Sequence, residues 1–313
     1  MSISTEKPDI GIVVDAGPKR GYGHAVRCVR LARALGQRNS IVFYPQSEEC
    51  KEFIERFGFV VTTSQSHTPF PPLVITDLRE PNGFTAAIRR CGSRHVSLHD
   101  LGLAQCHSDV AIDGSVTRLF PYAEQKEQEL FLGPQYMITR EMVPRVETTD
   151  RVLVTLGGGA TARFAETAAN QLSRLGMTTI ATQGFAGSTP LSDAEFAEAM
   201  ASCAFAISGS GVTLYDLLAS GVPTITVAFD RIQLRTADAF HQLGAVLNAG
   251  LFDRLSADAL FLYAREMLEN RLLVRHLAEV GQALVDGKGL SRVVDIVRRQ
   301  LWLTNQVKTF TPC

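Results

Sequence analysis

From residue 10 onward, short runs of β-branched and other apolar residues alternate with stretches whose apolar positions recur every three or four residues. Ile10 to Val14, Ile41 to Tyr44, Phe59 to Thr62, Leu73 to Thr76, His95 to Leu98 and Val110 to Ile112 predict strands. His24 to Leu35, Glu48 to Phe57 and Gly83 to Arg90 predict the helices between them. A strand that is apolar along its whole length is buried on both faces, so this βαβα rhythm predicts a parallel sheet covered by helices on each side.

The rhythm breaks between Gly133 and Asp150, where Pro134, Pro144 and several charges follow no sustained period. That composition predicts a hinge or interdomain connection. A second alternation then runs through strands Val152 to Thr155, Thr178 to Ala181, Phe205 to Ile207 and Pro223 to Val227. Its helices are Arg163 to Leu175, Ser192 to Ala201, Val212 to Ala219 and Gln233 to Leu243. Three helical stretches close the chain, Ala257 to Glu269, Arg271 to Val285 and Leu290 to Leu301, with a frayed tail expected after Trp302. The expectation is two Rossmann-like doubly wound domains, residues 1–140 and 150–289, with 290–313 as a final helix and a cleft between the halves. A chain of 313 residues is long enough for each half to bury its own core.

Charge and cysteine content narrow the function classes. A net charge of −1 with arginines spread along the chain lacks the basic footprint of a nucleic-acid binder. No apolar run reaches the roughly 18 to 20 residues of a membrane span and the N-terminus lacks a signal-peptide core, so the expected location is the cytoplasm. The six cysteines show no C-x-x-C pair and no short metal-ligand spacing, so neither a disulfide framework nor a metal site is expected.

Three glycine-rich segments fall where a predicted strand runs into a helix, the place where open α/β sheets bind ligands. The first, Gly17 to His24, contains Gly21 and Gly23 and displays His24. It is not a dinucleotide fingerprint, because the third glycine is missing, and a tight turn with His24 as a capping or packing residue accounts for it equally well. The second is Gly157-Gly158-Gly159, whose glycines let backbone N–H groups approach an anion or simply relax a turn. The third, Ser208-Gly209-Ser210-Gly211, offers hydroxyls and a helix N-terminus to a diphosphate, with Asp216 one turn on for ribose hydroxyls. A serine N-cap explains one of those hydroxyls but not the glycine pair.

The string Gly21-Tyr22-Gly23-His24-Ala25-Val26-Arg27-Cys28 resembles the G-x-G-H-x-x-R-C motif of the UDP-sugar hydrolases of pseudaminic acid biosynthesis (PseG) and related spore-coat polysaccharide proteins. The likeness continues in order through Asp77, His99-Asp100, the segment Gly133 to Glu141 with Tyr136 and Arg140, Gly157 to Gly159, Ser208 to Gly211 and Gln233. It implies a GT-B fold of the type shared with MurG-like glycosyltransferases, with the nucleotide on the C-terminal domain and the final helix returning to the N-terminal one. It also implies His24, Asp77 and Asp100 as catalytic residues. Gly21, Gly23, Arg27, Arg79, Tyr136 and Arg140 are then the expected substrate contacts, and Gly157 to Gly159, Ser208 to Gly211, Asp216 and Gln233 the expected nucleotide contacts. Four positions depart from the family pattern: Gly159-Ala160 replaces an aspartate, Asp216 a glutamate, Arg79 a tyrosine and Ile232-Gln233 an N-Q pair.

The leading expectation is hydrolysis of a nucleotide-diphosphate sugar, a UDP-sugar foremost, with His24 as general base on water and no cofactor. A histidine of ordinary pKa, about 6.5, is sufficiently neutral at physiological pH for that role. The alternative is a GT-B glycosyltransferase that delivers the sugar to an acceptor, and a third reading is a non-catalytic nucleotide-sugar binding protein.

Overall fold

The computed structural model describes residues 8–17, 21–36, 40–62, 69–80, 82–103, 105–123, 127–146, 150–156, 162–182 and 191–309. The chain divides into two compact units, one formed by Met1–Ile138 with Lys288–Cys313 and the other by Thr139–Gly287.

In unit 1 the strands are β1 (Ile10–Val14), β2 (Ile41–Pro45), β3 (Val60–Val61), β4 (Leu73–Asp77), β5 (Arg94–His99), β6 (Val110–Asp113) and β7 (Glu129–Leu132). They form a sheet in the order β3-β2-β1-β4-β5-β6-β7, with each paired neighbour parallel. Every residue of β1 and β4 is buried, as a sheet covered on both faces requires. Helix α1 (Gly23–Leu35) buries Ala25, Cys28, Val29, Ala32 and Leu35, a stripe at spacings of three and four that faces the sheet. Helices α2 (Glu48–Glu55) and α3 (Asn82–Arg90) fill two further crossovers.

Unit 2 carries β8 (Arg151–Thr155), β9 (Thr178–Ala181), β10 (Phe205–Ser208), β11 (Thr224–Ala228) and β12 (Leu247–Leu251), ordered β12-β11-β10-β8-β9 and parallel. Helices α4 (Ala162–Ser173), α5 (Asp193–Ser202), α6 (Val212–Ala219) and α7 (Arg231–Gln242) alternate with them, and α8 (Ala257–Glu269) and α9 (Arg271–Leu284) follow. Helix α10 (Gly289–Thr309) belongs to unit 1, where it packs on α1.

Three elements differ from the sequence reading. Strand β7 is a four-residue edge strand with no buried position, in which Glu129 precedes only three apolar residues, and β12 carries Asn248 and Gly250 among its five. Helix α10 continues to Thr309 instead of fraying after Trp302, and Gln300 and Thr304 keep its inner face buried beyond the last apolar repeat. Gln300 bridges strands there, accepting from Arg94 Nε at 2.8 Å and donating to Glu129 Oε1 at 3.0 Å.

Met137, one residue from the unit boundary, is gripped by two glycines. A Cβ on Gly114, just after β6, would lie 2.6 Å from Met137 Cα, and one on Gly289, at the start of α10, would collide with the Met137 carbonyl. Gly289→Val is therefore expected to lower unfolding free energy by about 1–3 kcal/mol, the usual cost of overpacking, read as a reduced thermal midpoint. A midpoint equal to wild type would contradict this close approach.

Candidate functional site

The parallel order β1-β4-β5 sets the carboxyl ends of three strands side by side, and the chemistry of unit 1 gathers there. Gly21, with φ of 79°, pairs its backbone with Gly17 in an isolated bridge, which turns the chain so that α1 can start at Gly23. A three-residue spacing puts His24 and Arg27 on one face of that helix. Asp77 is the last residue of β4, and Asp100 follows β5 directly.

Arg27 and Asp77 form a buried, two-pronged ion pair. Arg27 Nε donates to Asp77 Oδ2 at 2.6 Å and Nη2 to Asp77 Oδ1 at 2.6 Å, with the side chains 4% and 1% exposed. The remaining nitrogen, Nη1, donates to Asp100 Oδ1 at 2.5 Å. His24 Nδ1 lies 2.7 Å from Asp77 Oδ1, which fixes Nδ1–H as donor and leaves Nε2 as the outward nitrogen. Asp100 Oδ2 is 3.7 Å from that Nε2.

The electrostatics follow. The Asp77 carboxylate raises the pKa of His24 above its ordinary value, with burial and the Arg27 charge opposing it. Burial disfavours the charged Asp77, yet Arg27 and His24 outweigh it and hold the carboxyl well below the usual range. His24 and Asp77 line a cavity of about 380 Å³ together with Asp15, Gln46, Leu78, Arg79, Glu80 and Phe84. Arg79 is thus an exposed wall residue of the His24 cavity.

The loop that carries Asp100 is conformationally costly, and sequence reasoning missed what holds it. Leu101 has φ of 56° and Gly102 of 70°. The fully buried Asp113 accepts Gly102 N–H at 2.8 Å, Ser115 N–H at 2.9 Å and the Tyr122 hydroxyl at 3.2 Å, while Ser115 Oγ accepts Leu101 N–H at 2.8 Å. A left-handed leucine persists only where its surroundings over-determine it. The available signal was an acid at a strand end, Asp113-Gly114-Ser115, the same position that marks Asp77.

In unit 2 the β10–α6 turn is the corresponding feature. Gly209 N–H donates to Thr155 O at 3.0 Å, and Gln233 Oε1 accepts Ser210 N–H and Phe229 N–H, each at 3.4 Å, so Gln233 braces the turn. Ser208 Oγ donates to Gly209 O at 2.8 Å. The Ser210 hydroxyl is buried with no hydrogen-bond partner among the described residues, and α6 starts after Gly211, which provides no side-chain cap. Asp216, 2% exposed, accepts Arg140 N–H at 2.8 Å and Arg140 Nε at 3.2 Å, while the Arg140 guanidinium stacks on Phe196. Two residues expected to contact different parts of a ligand are thus joined to each other. Tyr136 packs edge-on against Phe131 in unit 1. Gly157, Gly158 and Gly159 lie outside the described residues.

Two doubly wound parallel units of this kind define the GT-B fold. Similar solved structures include MurG of Acinetobacter baumannii (TM-score 0.65, 13% identity, 93% of this chain and 100% of that one). The calicheamicin glycosyltransferase CalG4 (0.66, 14%, 95% and 99%) and S. aureus MnaA with UDP (0.66, 12%, 94% and 97%) are equally near. In sequence the chain is similar to the spore coat polysaccharide biosynthesis protein SpsG of Bacillus subtilis strain 168, at 25% identity over 333 aligned positions covering 92% of this chain and 97% of SpsG. No family model matches. Among the described residues no His, Cys, Asp and Glu side chains cluster as a metal site and no helix is long and apolar enough to cross a membrane.

The lowered Asp77 pKa makes a stability prediction. The native carboxyl binds its proton less readily than the unfolded one, so its contribution is full above about pH 4 and is lost as pH falls below that. His24 acts in the opposite sense, stabilising below about pH 6.5 and losing its contribution as pH rises through its raised native value. Asp77→Asn should cost about 3–5 kcal/mol at neutral pH by stripping a buried guanidinium of one partner. It should also flatten the acid limb, measured by denaturant unfolding between pH 3 and 7. An acid limb as steep as wild type's would show that Asp77 is not its source.

Proposed function

We propose that this chain transfers the sugar of a nucleoside-diphosphate sugar, a UDP-sugar foremost, to an acceptor hydroxyl, with His24 as general base. The observation that carries the reading is the Asp77–His24 pair lining a cavity of about 380 Å³. Asp77 orients the ring and stabilises the imidazolium, leaving Nε2 to take the proton. As the acceptor oxygen bonds to the anomeric carbon, the bond from that carbon to the diphosphate breaks and its electron pair leaves on the nucleotide. The β10–α6 turn is the assigned diphosphate site: an uncapped helix N-terminus meets negative charge favourably, and the partnerless Ser210 hydroxyl supplies a donor.

The MnaA structure with UDP supports the choice of uridine as the nucleoside, the calicheamicin glycosyltransferase supports transfer, and the spore-coat relative supports a role in polysaccharide biosynthesis. A second reading, hydrolysis, keeps every residue in place and substitutes water as nucleophile. The G-x-G-H-x-x-R-C likeness to UDP-sugar hydrolases favours it.

Free UDP is the readout for both. Its release from UDP-sugars only when an acceptor is added is expected for the transferase, and release without acceptor would establish the hydrolase. His24→Asn should lower turnover by roughly 10²- to 10⁴-fold while UDP affinity stays within a few-fold, the usual worth of positioned proton transfer. The rate should rise with pH through a midpoint above 6.5, because Asp77 raises the pKa of the base that must be neutral. A variant with wild-type turnover removes His24 from the mechanism.

A further inference from the structure

His24 is flanked by two carboxylates with different access to it. Asp77 is fixed on Nδ1, whereas Asp100, one-third exposed on its loop, stops 3.7 Å short of Nε2. That gap is too long for a hydrogen bond and too short for an intervening water. The same Asp100 carboxylate is gripped through its other oxygen by Arg27 Nη1 at 2.5 Å, while Arg27 Nε and Nη2 are locked on Asp77. Released from that grip, a partly exposed aspartate beside an imidazole would close the gap. It would then occupy the nitrogen a substrate proton needs.

We propose that Arg27 is a positioning residue that forks across Asp77 and Asp100 and holds Asp100 off the outward nitrogen of His24. This deepens the general-base reading and rests on it for its catalytic consequence, but the geometry it asserts concerns side chains alone. The guanidinium suits the task because its rigid planar fork can satisfy two acceptors at fixed angles, which a lysine ammonium on a flexible stem cannot. Its charge, 3.2 Å from His24 Nδ1, also opposes protonation of the ring. The other charged groups lining the cavity are Asp15 from the end of β1 and Arg79 and Glu80 from the β4–α3 connection.

The test is the titration of His24 in the full-length chain, followed by NMR with labelled histidine and assigned by loss of the signal in His24→Asn. Arg27→Lys keeps a positive charge but gives up the fork. It should raise the His24 midpoint by about one pH unit, equivalent to about 1.4 kcal/mol of preference for the imidazolium. Adding Asp100→Asn to Arg27→Lys should return the midpoint to the wild-type value or below, and the acid limb of kcat/KM should follow both shifts. Asp100→Glu, with Arg27 intact, lengthens the carboxylate by one methylene and should raise the midpoint in the same direction. It serves where Arg27→Lys fails to fold.

An unmoved midpoint in Arg27→Lys and Asp100→Glu would overturn the proposal, as would a shift in Arg27→Lys that Asp100→Asn leaves in place. The two readings fail separately. If His24→Asn retains turnover while the midpoints move as expected, the base is misassigned and the positioning stands. If His24→Asn abolishes turnover while the midpoints stay fixed, only the positioning is wrong.

Discussion

The buried pair of Arg27 and Asp77 is the constraint on which the rest of unit 1 depends. A carboxylate 1% exposed at a strand end is tolerable only with its charge matched and its oxygens hydrogen-bonded. Meeting that demand fixes α1 in rotation about its axis, because only one face can bring Arg27 over Asp77. His24 lies one turn earlier on the same face, so the rotation that satisfies the ion pair also aims the imidazole. Asp100 is held by the third nitrogen of the same guanidinium, which connects the β5 end to the helix after β1.

A pair of this kind is poor evidence of stability. Desolvation of both charges offsets much of their attraction, and apolar replacements of similar volume are often neutral or stabilising. What an apolar replacement would not supply is orientation: two leucines would pack but leave His24 with no acceptor on Nδ1 and Asp100 free to rotate. The strained Leu101–Gly102 backbone points the same way. Asp113 gathers three donors, one of them the Gly102 N–H of this loop, and Asp100 at the start of the loop stands beside His24. Both costs are met at the carboxyl ends of adjacent strands, where an α/β sheet places its chemistry.

The sheets were legible because strands buried on both faces read as unbroken apolar runs, and β1, β4 and β11 are buried at every residue. Edge strands carry no such signal, since one side of the ladder is solvated and a Glu129-Leu130-Phe131-Leu132 segment fits a loop as well as a strand. His24, Arg27, Asp77 and Asp100 were legible as types in a motif, but Arg27 read as a substrate contact. Whether Arg27 faces a ligand or two aspartates depends on β4 lying beside β1 and on the resulting contact across 50 residues, which is topology and not spacing. The role of Asp113 was harder to read for a related reason: two of its three donors are the backbone N–H groups of Gly102 and Ser115, and backbone carries no sequence signature.

The same distinction separates the two acids of unit 2 that the sequence treated alike as ligand groups. Asp216 looked like a ribose acceptor because it sits one turn into a helix that opens on a glycine turn. Its carboxylate instead accepts from the backbone and side chain of Arg140, the second residue of unit 2, and so fastens the incoming chain to α6. A glutamate there, one methylene longer, would carry its oxygens past the point where Asp216 meets Arg140 N–H. The polar atom left without a partner at the turn, among the described residues, is the Ser210 hydroxyl, six residues before an acid already engaged by Arg140, and a buried donor of that kind calls for an explanation that Asp216 does not need.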